Sequence, residues 1–419
     1  MTTVSPPAAF AGSPASGLVC RECAAAVPLS PVHVCERCFA PLEVAYDEDR
    51  LRLVTRDSIA AGPHSIWRYA GLLPAGQDEA TRVDLGAGMT RLRPAPHLAA
   101  ALGMRSLLVK DDSGNPTHSF KDRVVSVALS AARAFGFTTV SCASTGNLAN
   151  SVAAHATHVG LRAVVFIPSD LEQAKVVQTA VYGQSLVAVE GSYDDVNRLC
   201  SEIAENEDWA FVNVNVRPYY AEGSKTLGYE VAEQLGWRLP EQVVIPMASG
   251  SLLTKVDKAF GELGRLGLVE PTPCKVYGAQ ATGCSPIATA YENGWDAVKP
   301  VRPKTIAKSL AIGNPADGPY ALDTVRRTGG AMGHVSDEQV VEGIRLLART
   351  EGVFAETAGG VTVATLRQLL EQGRIDPDAE TVLFNTGDGL KTLDAVSGLV
   401  GPDATIAPSY SSFVATGLA

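Results

Sequence analysis

Thr138-Thr139-Val140-Ser141-Cys142-Ala143-Ser144-Thr145-Gly146-Asn147 decides how this chain folds. Six small or β-branched residues without a charge read as a strand buried on both faces, and the Ser-Thr-Gly-Asn run after it opens a helix. Upstream, Val124, Val125, Ala128, Leu129, Ala132 and Phe135 recur at helical spacing. Downstream the alternation continues: strand 162–168, helix 170–182, strand 185–190, helix 193–205 and strand 209–214. It resumes with helix 222–235, strand 242–247, helix 252–263 and strand 275–280, then helices near 284–293, 337–350 and 360–373 and a last strand over 381–386. Helix and strand in strict turn, at these lengths, predict βαβ units and an α/β fold with parallel sheets.

With 419 residues, two or three domains are expected. Thirty-five Lys and Arg against 45 Asp and Glu leave a net charge of −10, a poor match to a partner made of phosphodiesters, so nucleic acid is excluded as the expected ligand. No segment has the run of about 18 apolar residues that a membrane span needs, so no membrane partner is expected and the chain reads as soluble and cytoplasmic. Residues 1–17, rich in Pro, Ala, Ser and Gly, read as a disordered leader, and 403–419 as a fraying tail.

In open α/β sheets, ligands gather where strands end in loops. Lys121, in Asn115-Pro116-Thr117-His118-Ser119-Phe120-Lys121-Asp122-Arg123, stands at a helix mouth, where the partial positive charge of the helix start disfavours a second cation and helps lower an amine pKa. That suits Schiff-base chemistry, although a lysine there can also be simply solvated. Ser144-Thr145-Gly146-Asn147 either caps its helix or holds a carboxylate and offers an amide. Ala248-Ser249-Gly250-Ser251-Leu252 is either a bare strand-turn-helix or a phosphate cradle. Asn385-Thr386-Gly387-Asp388-Gly389 is either a plain turn or a hydroxyl presented at a strand end. Glu356-Thr357-Ala358-Gly359-Gly360 opens another helix, with Thr357 as its cap or with the turn facing a ligand. Asp111 and Asp112 read as loop acids that pair with Lys110 or Arg123. An imine-forming lysine, an amide, a phosphate cradle and a strand-end hydroxyl together match pyridoxal 5′-phosphate, which carries an aldehyde, a phenolic oxygen, a phosphate and a ring nitrogen.

The Lys121, Ser144–Asn147 and Asn385–Gly389 stretches, with Glu222-Gly223-Ser224-Lys225-Thr226, resemble the threonine synthases, fold-type II pyridoxal-phosphate enzymes, over residues 18 to 397. The closest likeness is to the actinobacterial form with a cysteine-knuckle leader. The resemblance implies two open twisted sheets, a large α/β domain from 46–114 plus 211–402 and a small one over 115–210. It implies that Lys121 and Phe120 meet the cofactor, that Asn147 bonds its phenolic oxygen, that Ala248, Ser249, Gly250, Ser251 and Leu252 wrap its phosphate and that Thr386 meets its ring nitrogen. Ser119, Ser144, Thr145 and Gly146 would bind the substrate, O-phospho-L-homoserine, which the family converts with water to L-threonine and phosphate. The sequence departs from the family pattern at His118, at Leu148 and across 214–220. There Asn215, Arg217 and Lys225 are expected to supply the donors that a substrate phosphate requires. A paralogue performing β-replacement or dehydration of a serine- or threonine-like amino acid is the alternative enzyme, and a homodimer is plausible.

Cys20-x-x-Cys23 and Cys35-x-x-Cys38 form the remaining motif. Two knuckles at this spacing can gather four thiolates around zinc, giving a zinc-ribbon-like module over 18–45; four leftover reduced thiols are the plainer reading. The module also allows a non-enzyme alternative, a zinc-dependent binding or regulatory protein with an inactive core.

Overall fold

Parallel pairing organises the two larger sheets of the chain, whose computed structural model describes residues 10–144 and 146–418. Strands are β1 (Ala15–Cys20), β2 (Ala26–Val27), β3 (Leu42–Tyr46), β4 (Arg91–Pro94), β5 (Leu107–Asp111), β6 (Thr139–Ala143), β7 (Arg162–Pro168), β8 (Ser185–Val189), β9 (Ala210–Phe211), β10 (Gln242–Pro246), β11 (Lys275–Ala281), β12 (Met332–Val335) and β13 (Thr381–Asn385). A six-stranded sheet runs β12-β11-β10-β13-β5-β4, parallel except at β4, and a four-stranded parallel sheet runs β8-β7-β6-β9. β2-β1-β3 form a small antiparallel sheet that carries the cysteine knuckles. β6, β10 and β13 are buried along their whole length, as uncharged strands flanked by helices must be.

Three local differences from the sequence pattern have physical causes. The strand expected over 209–214 shrinks to β9 because Asn215 turns the chain: its Oδ1 accepts from the Phe211 N–H and its Nδ2 donates to the Trp209 carbonyl, at 2.8 and 2.9 Å. β9 therefore adds an edge to the small sheet beyond residue 210. The helix expected over 222–235 is two, Arg217–Gly223 and Lys225–Gln234, broken at Ser224. The leader is ordered from Phe10 onward: Phe10 is 2% exposed, 4.8 Å from the Phe135 ring, and Ser13 donates to the Pro74 carbonyl. Proline and alanine composition misses one aromatic anchor. At the other end, the tail forms a short exposed helix, Tyr410–Val414.

The helix that opens with Lys121 (Lys121–Ala134) is fixed two residues later by Arg123, which is fully buried. Its guanidinium forks onto both oxygens of Asp112 at 2.7 and 2.8 Å and onto both oxygens of Glu230, whose Oε2 also accepts from the buried Lys110 at 2.7 Å. Asp112 follows β5 and Glu230 lies on the Lys225–Gln234 helix, so one side chain joins three segments of the fold. Burial alone would raise the Glu230 carboxyl, but Arg123 and Lys110 outweigh it and hold the group at about 2. Its stabilising contribution is thus complete above the ordinary value of 4.5 and is lost as pH falls toward about 2. Arg123→Met leaves two carboxylates buried against too little positive charge. It is expected to cost about 3–5 kcal/mol of stability in urea denaturation at pH 7.

Candidate active site

His118 and Ser119 bring the site's two ends together. Ser119 pairs with Gly387 in an isolated antiparallel bridge, Phe120 N–H donates to the Thr386 carbonyl at 3.0 Å and Asp388 N–H donates to the His118 carbonyl at 3.1 Å. Lys121 and Thr386, 265 positions apart in the chain, are thereby set in one cleft. His118 turns the corner with φ of +61°, in the left-handed region that glycine enters most easily; its ring is exposed and approaches the Ser113 carbonyl.

The cleft is a cavity of about 600 Å³ continuous with a second of about 940 Å³, and both are walled by Lys121, Asn147, Tyr220, Ala248, Ser249, Ser251 and Ser309. Lys121 Nζ donates to the Tyr220 hydroxyl at 2.8 Å and lies 4.6 Å from the Phe120 ring centre. Burial lowers its pKa to about 8, with Glu356 and Cys142 opposing. Burial pushes the Tyr220 phenol well up, so it stays protonated at neutral pH. Ala248–Leu252 leads from β10 into the Ser251–Arg265 helix, which starts without a side-chain cap. Its N-terminal Gly250 has φ of +92°, and a Cβ there would sit 3.0 Å from the Asp317 carbonyl oxygen and 2.9 Å from the Ala321 methyl. Thr386 lines the first cavity.

Asn147 Oδ1 and Ser309 Oγ are buried in the cavity wall with no partner, and the helix start, where the Ser251 N–H leans on Ser249 Oγ at 3.3 Å, leaves further first-turn N–H groups for an anion. Those features, with the free amine, fit pyridoxal phosphate. Asn147 Nδ2 donates to both oxygens of Glu356, at 3.0 and 2.9 Å, which fixes the amide against the N-cap residue of the Thr357–Glu371 helix. Thr357 is therefore not that helix's cap, and its own hydroxyl is unpaired.

Ser144 and Arg217 line the second cavity. Ser144 Oγ accepts from the N–H groups of Gly146 and Ala149, capping the Asn147–His158 helix, while Thr145 lies outside the described residues. Arg217 Nη2 donates to Asp317 Oδ2 at 2.6 Å. Two predicted ligands are corrected. Asn215 spends its amide on the turn after β9, and Lys225 is fully buried among Glu222, Glu262 and the Leu72 carbonyl, so neither reaches the cleft. Ser119 is buried with an unpaired hydroxyl but does not line either cavity. Sequence reasoning missed Tyr220, Ser309 and Asp317. Tyr220 falls within the divergent 214–220 stretch, whereas nothing local marks the other two.

In the small N-terminal sheet, the four cysteine sulfurs lie within 4.8 Å of one another, with Cys20–Cys38, Cys23–Cys35 and Cys23–Cys38 at 3.4, 3.7 and 3.6 Å. A tetrahedron with Zn–S bonds of about 2.3 Å has edges of about 3.8 Å, close to these separations. The Cys23 N–H donates to Cys20 Sγ, lowering that thiol to about 6, and the Arg37 N–H donates to Cys35 Sγ. Metal-binding knuckles are built this way, and the donor set fits zinc.

Comparison with known proteins agrees with this geometry. Residues 83–387 match the family described as pyridoxal-phosphate dependent enzyme. The threonine synthase of Methanocaldococcus jannaschii is 36% identical over 367 residues, covering 87% of this chain and 90% of that protein, and that of Methanosarcina acetivorans is 34% identical over 377 residues, covering 89% and 92%. Among solved structures, the processed form of threonine deaminase isoform 2 from Solanum lycopersicum superposes with a TM-score of 0.62 at 19% identity over 89% of this chain and 98% of that one, a likeness of fold. The chain belongs to the pyridoxal-phosphate dependent enzymes of fold type II and, within them, to the threonine synthase family.

Without cofactor, the amine of Lys121 is expected to react with a lysine-directed acylating reagent with a midpoint near pH 8, because below that value it holds its third proton and above it does not. Peptide mapping by mass spectrometry from about pH 6 to about pH 12 reads this directly; a midpoint at the ordinary lysine value of 10.5 would contradict the assigned burial.

Proposed function

We propose that this chain converts O-phospho-L-homoserine and water to L-threonine and phosphate. The observation that carries the reading is the single cleft holding Lys121, Asn147, the uncapped Ser251 helix start and Thr386 at one end and Arg217 at the other. Lys121 would hold pyridoxal phosphate covalently, Ala248–Leu252 would take its phosphate, Asn147 its phenolic oxygen and Thr386 its ring nitrogen; the bound group supplies the electron sink that makes Cα and Cβ protons acidic.

The chain's own residues then have separable tasks. A Lys121 amine with a pKa of about 8 can take a proton from carbon and return it, and the protonated Tyr220 hydroxyl 2.8 Å away orients Nζ. The start of the Asn147–His158 helix, beyond the Gly146 and Ala149 N–H groups that Ser144 Oγ takes, would meet the substrate carboxylate with its partial positive charge. Arg217 supplies a charge-assisted donor for the leaving phosphate. The four cysteines take zinc and staple the N-terminal sheet, which is otherwise too small to be stable alone.

Asp194 and Asp317 also line the outer cavity, and two carboxylates there favour the second reading, a paralogue acting on a less charged leaving group. Product analysis separates them. Incubation with O-phospho-L-homoserine is expected to yield threonine and phosphate in equal amounts and to lose both with Lys121→Ala. Formation of pyruvate or 2-oxobutanoate from serine or threonine, with no phosphate release, would favour the paralogue. Elemental analysis of the purified protein is expected to find one zinc per chain, lost with Cys20→Ser.

A further inference from the structure

We propose that Arg21, inside the first cysteine knuckle, is a positioning residue that sets the charge of the leaving-group end of the cleft through Asp317 and Arg217. The inference rests on the reading above, that Arg217 meets the substrate phosphate.

Arg217 alone is poorly equipped for that task. Its guanidinium is bound to Asp317 at 2.6 Å, and the Asp317 side chain is only 6% exposed, so the two form a nearly neutral pair. Asp194 stands in the same wall and adds negative charge. Without a further cation, a phosphate dianion placed there would meet one positive charge against two negative ones.

Arg21 changes the count. Its Nη1 lies 3.3 Å from the other Asp317 oxygen, so one buried carboxylate is shared by two guanidinium groups, and the Arg21–Asp317–Arg217 trio carries one positive charge that offsets Asp194 in the same wall. Glu43, 3.4 Å from Arg21 Nε, belongs to a neighbouring cluster in which Lys225, Lys255 and Lys258 balance Glu43, Glu222 and Glu262, so it does not cancel that charge. The arginine is held in place by its stack on the Tyr320 ring, 3.4 Å from the centroid, while Tyr320 donates its hydroxyl to Glu22 at 2.7 Å. Asp317 also ties the knuckle to the cofactor end. Its N–H donates to the Ser249 carbonyl at 3.1 Å, and its Oδ2 lies 3.5 Å from Ser249 Oγ.

The test uses the zinc- and cofactor-loaded enzyme and reads kcat, KM for O-phospho-L-homoserine and inhibition by inorganic phosphate. Arg21→Gln is expected to raise KM and the phosphate inhibition constant together by about tenfold, as loss of one charge at short range in a half-buried site implies, with kcat and the visible cofactor band little changed. Arg21→Lys, which keeps the charge, is expected to stay near wild type. Arg21→Gln combined with Asp317→Asn restores a net positive cluster and is expected to bring phosphate inhibition back to within about threefold of wild type. Tyr320→Phe and Glu22→Gln remove the Tyr320–Glu22 hydrogen bond while keeping both the ring beneath Arg21 and the Arg21 charge, and should leave phosphate inhibition unchanged. The proposal is overturned if Arg21→Gln leaves phosphate inhibition unaltered, if the double variant fails to recover it, or if Tyr320→Phe weakens it equally. Arg217→Met distinguishes the levels: no effect of that change on phosphate inhibition defeats the parent reading, whereas an effect there with none at Arg21 defeats this inference alone.

Discussion

A buried guanidinium, that of Arg123, is the constraint on which the cleft depends. To Asp112 and Glu230 it forms four hydrogen bonds of 2.5 to 2.8 Å, and Lys110 adds one of 2.7 Å to Glu230, in a region closed to water. Such a fork has planar geometry and no freedom to slide, so the first turn of the Lys121–Ala134 helix is fixed in position and in rotation about its axis. Lys121 lies two residues earlier and inherits that fixity. The ion cluster does not itself face the ligand; it makes an otherwise flexible lysine point one way.

Around this anchor, the site is assembled from segments that end or follow strands. The Ser119–Gly387 bridge locks the Lys121 loop to the end of β13, β10 delivers Ala248–Leu252 and β6 delivers Ser144–Asn147. Because β6 belongs to the four-stranded sheet and β10 and β13 to the six-stranded one, the cavity necessarily lies between the two sheets. Lowering of the lysine pKa follows from the same arrangement. Enclosure by Phe120 and Tyr220 removes water from the amine, and the nearby Glu356 only partly compensates.

Legibility in the sequence followed from how local each determinant is. Lys121, the Ala248–Leu252 loop and Thr386 sit in short runs whose residue types are unusual for plain turns, and the regular alternation from 119 to 280 revealed the parallel sheets. The strands Arg91–Pro94 and Leu107–Asp111 were obscure because β4 is an exposed edge carrying two arginines and a proline, with no alternation to detect. Asn215 and Lys225 were misjudged since a demand for positive or polar groups near a phosphate says nothing about which side chains point there. Lys225 is instead needed to neutralise Glu222 and Glu262. Asp317 and Ser309 come from a stretch without strong periodicity, and only folding shows that they border the cleft.

The contact between Arg21 and Asp317 spans 296 positions. At a synthesis rate of about 5–20 residues per second, the knuckle emerges roughly 15–60 s before its partner exists. During that interval the knuckle lacks its Asp317 contact and relies on its short sheet, its four sulfurs and the earlier-made contacts of Phe10 and Ser13. Early capture of a metal ion would let the nascent chain carry a finished piece until the last third of the polypeptide arrives to receive it.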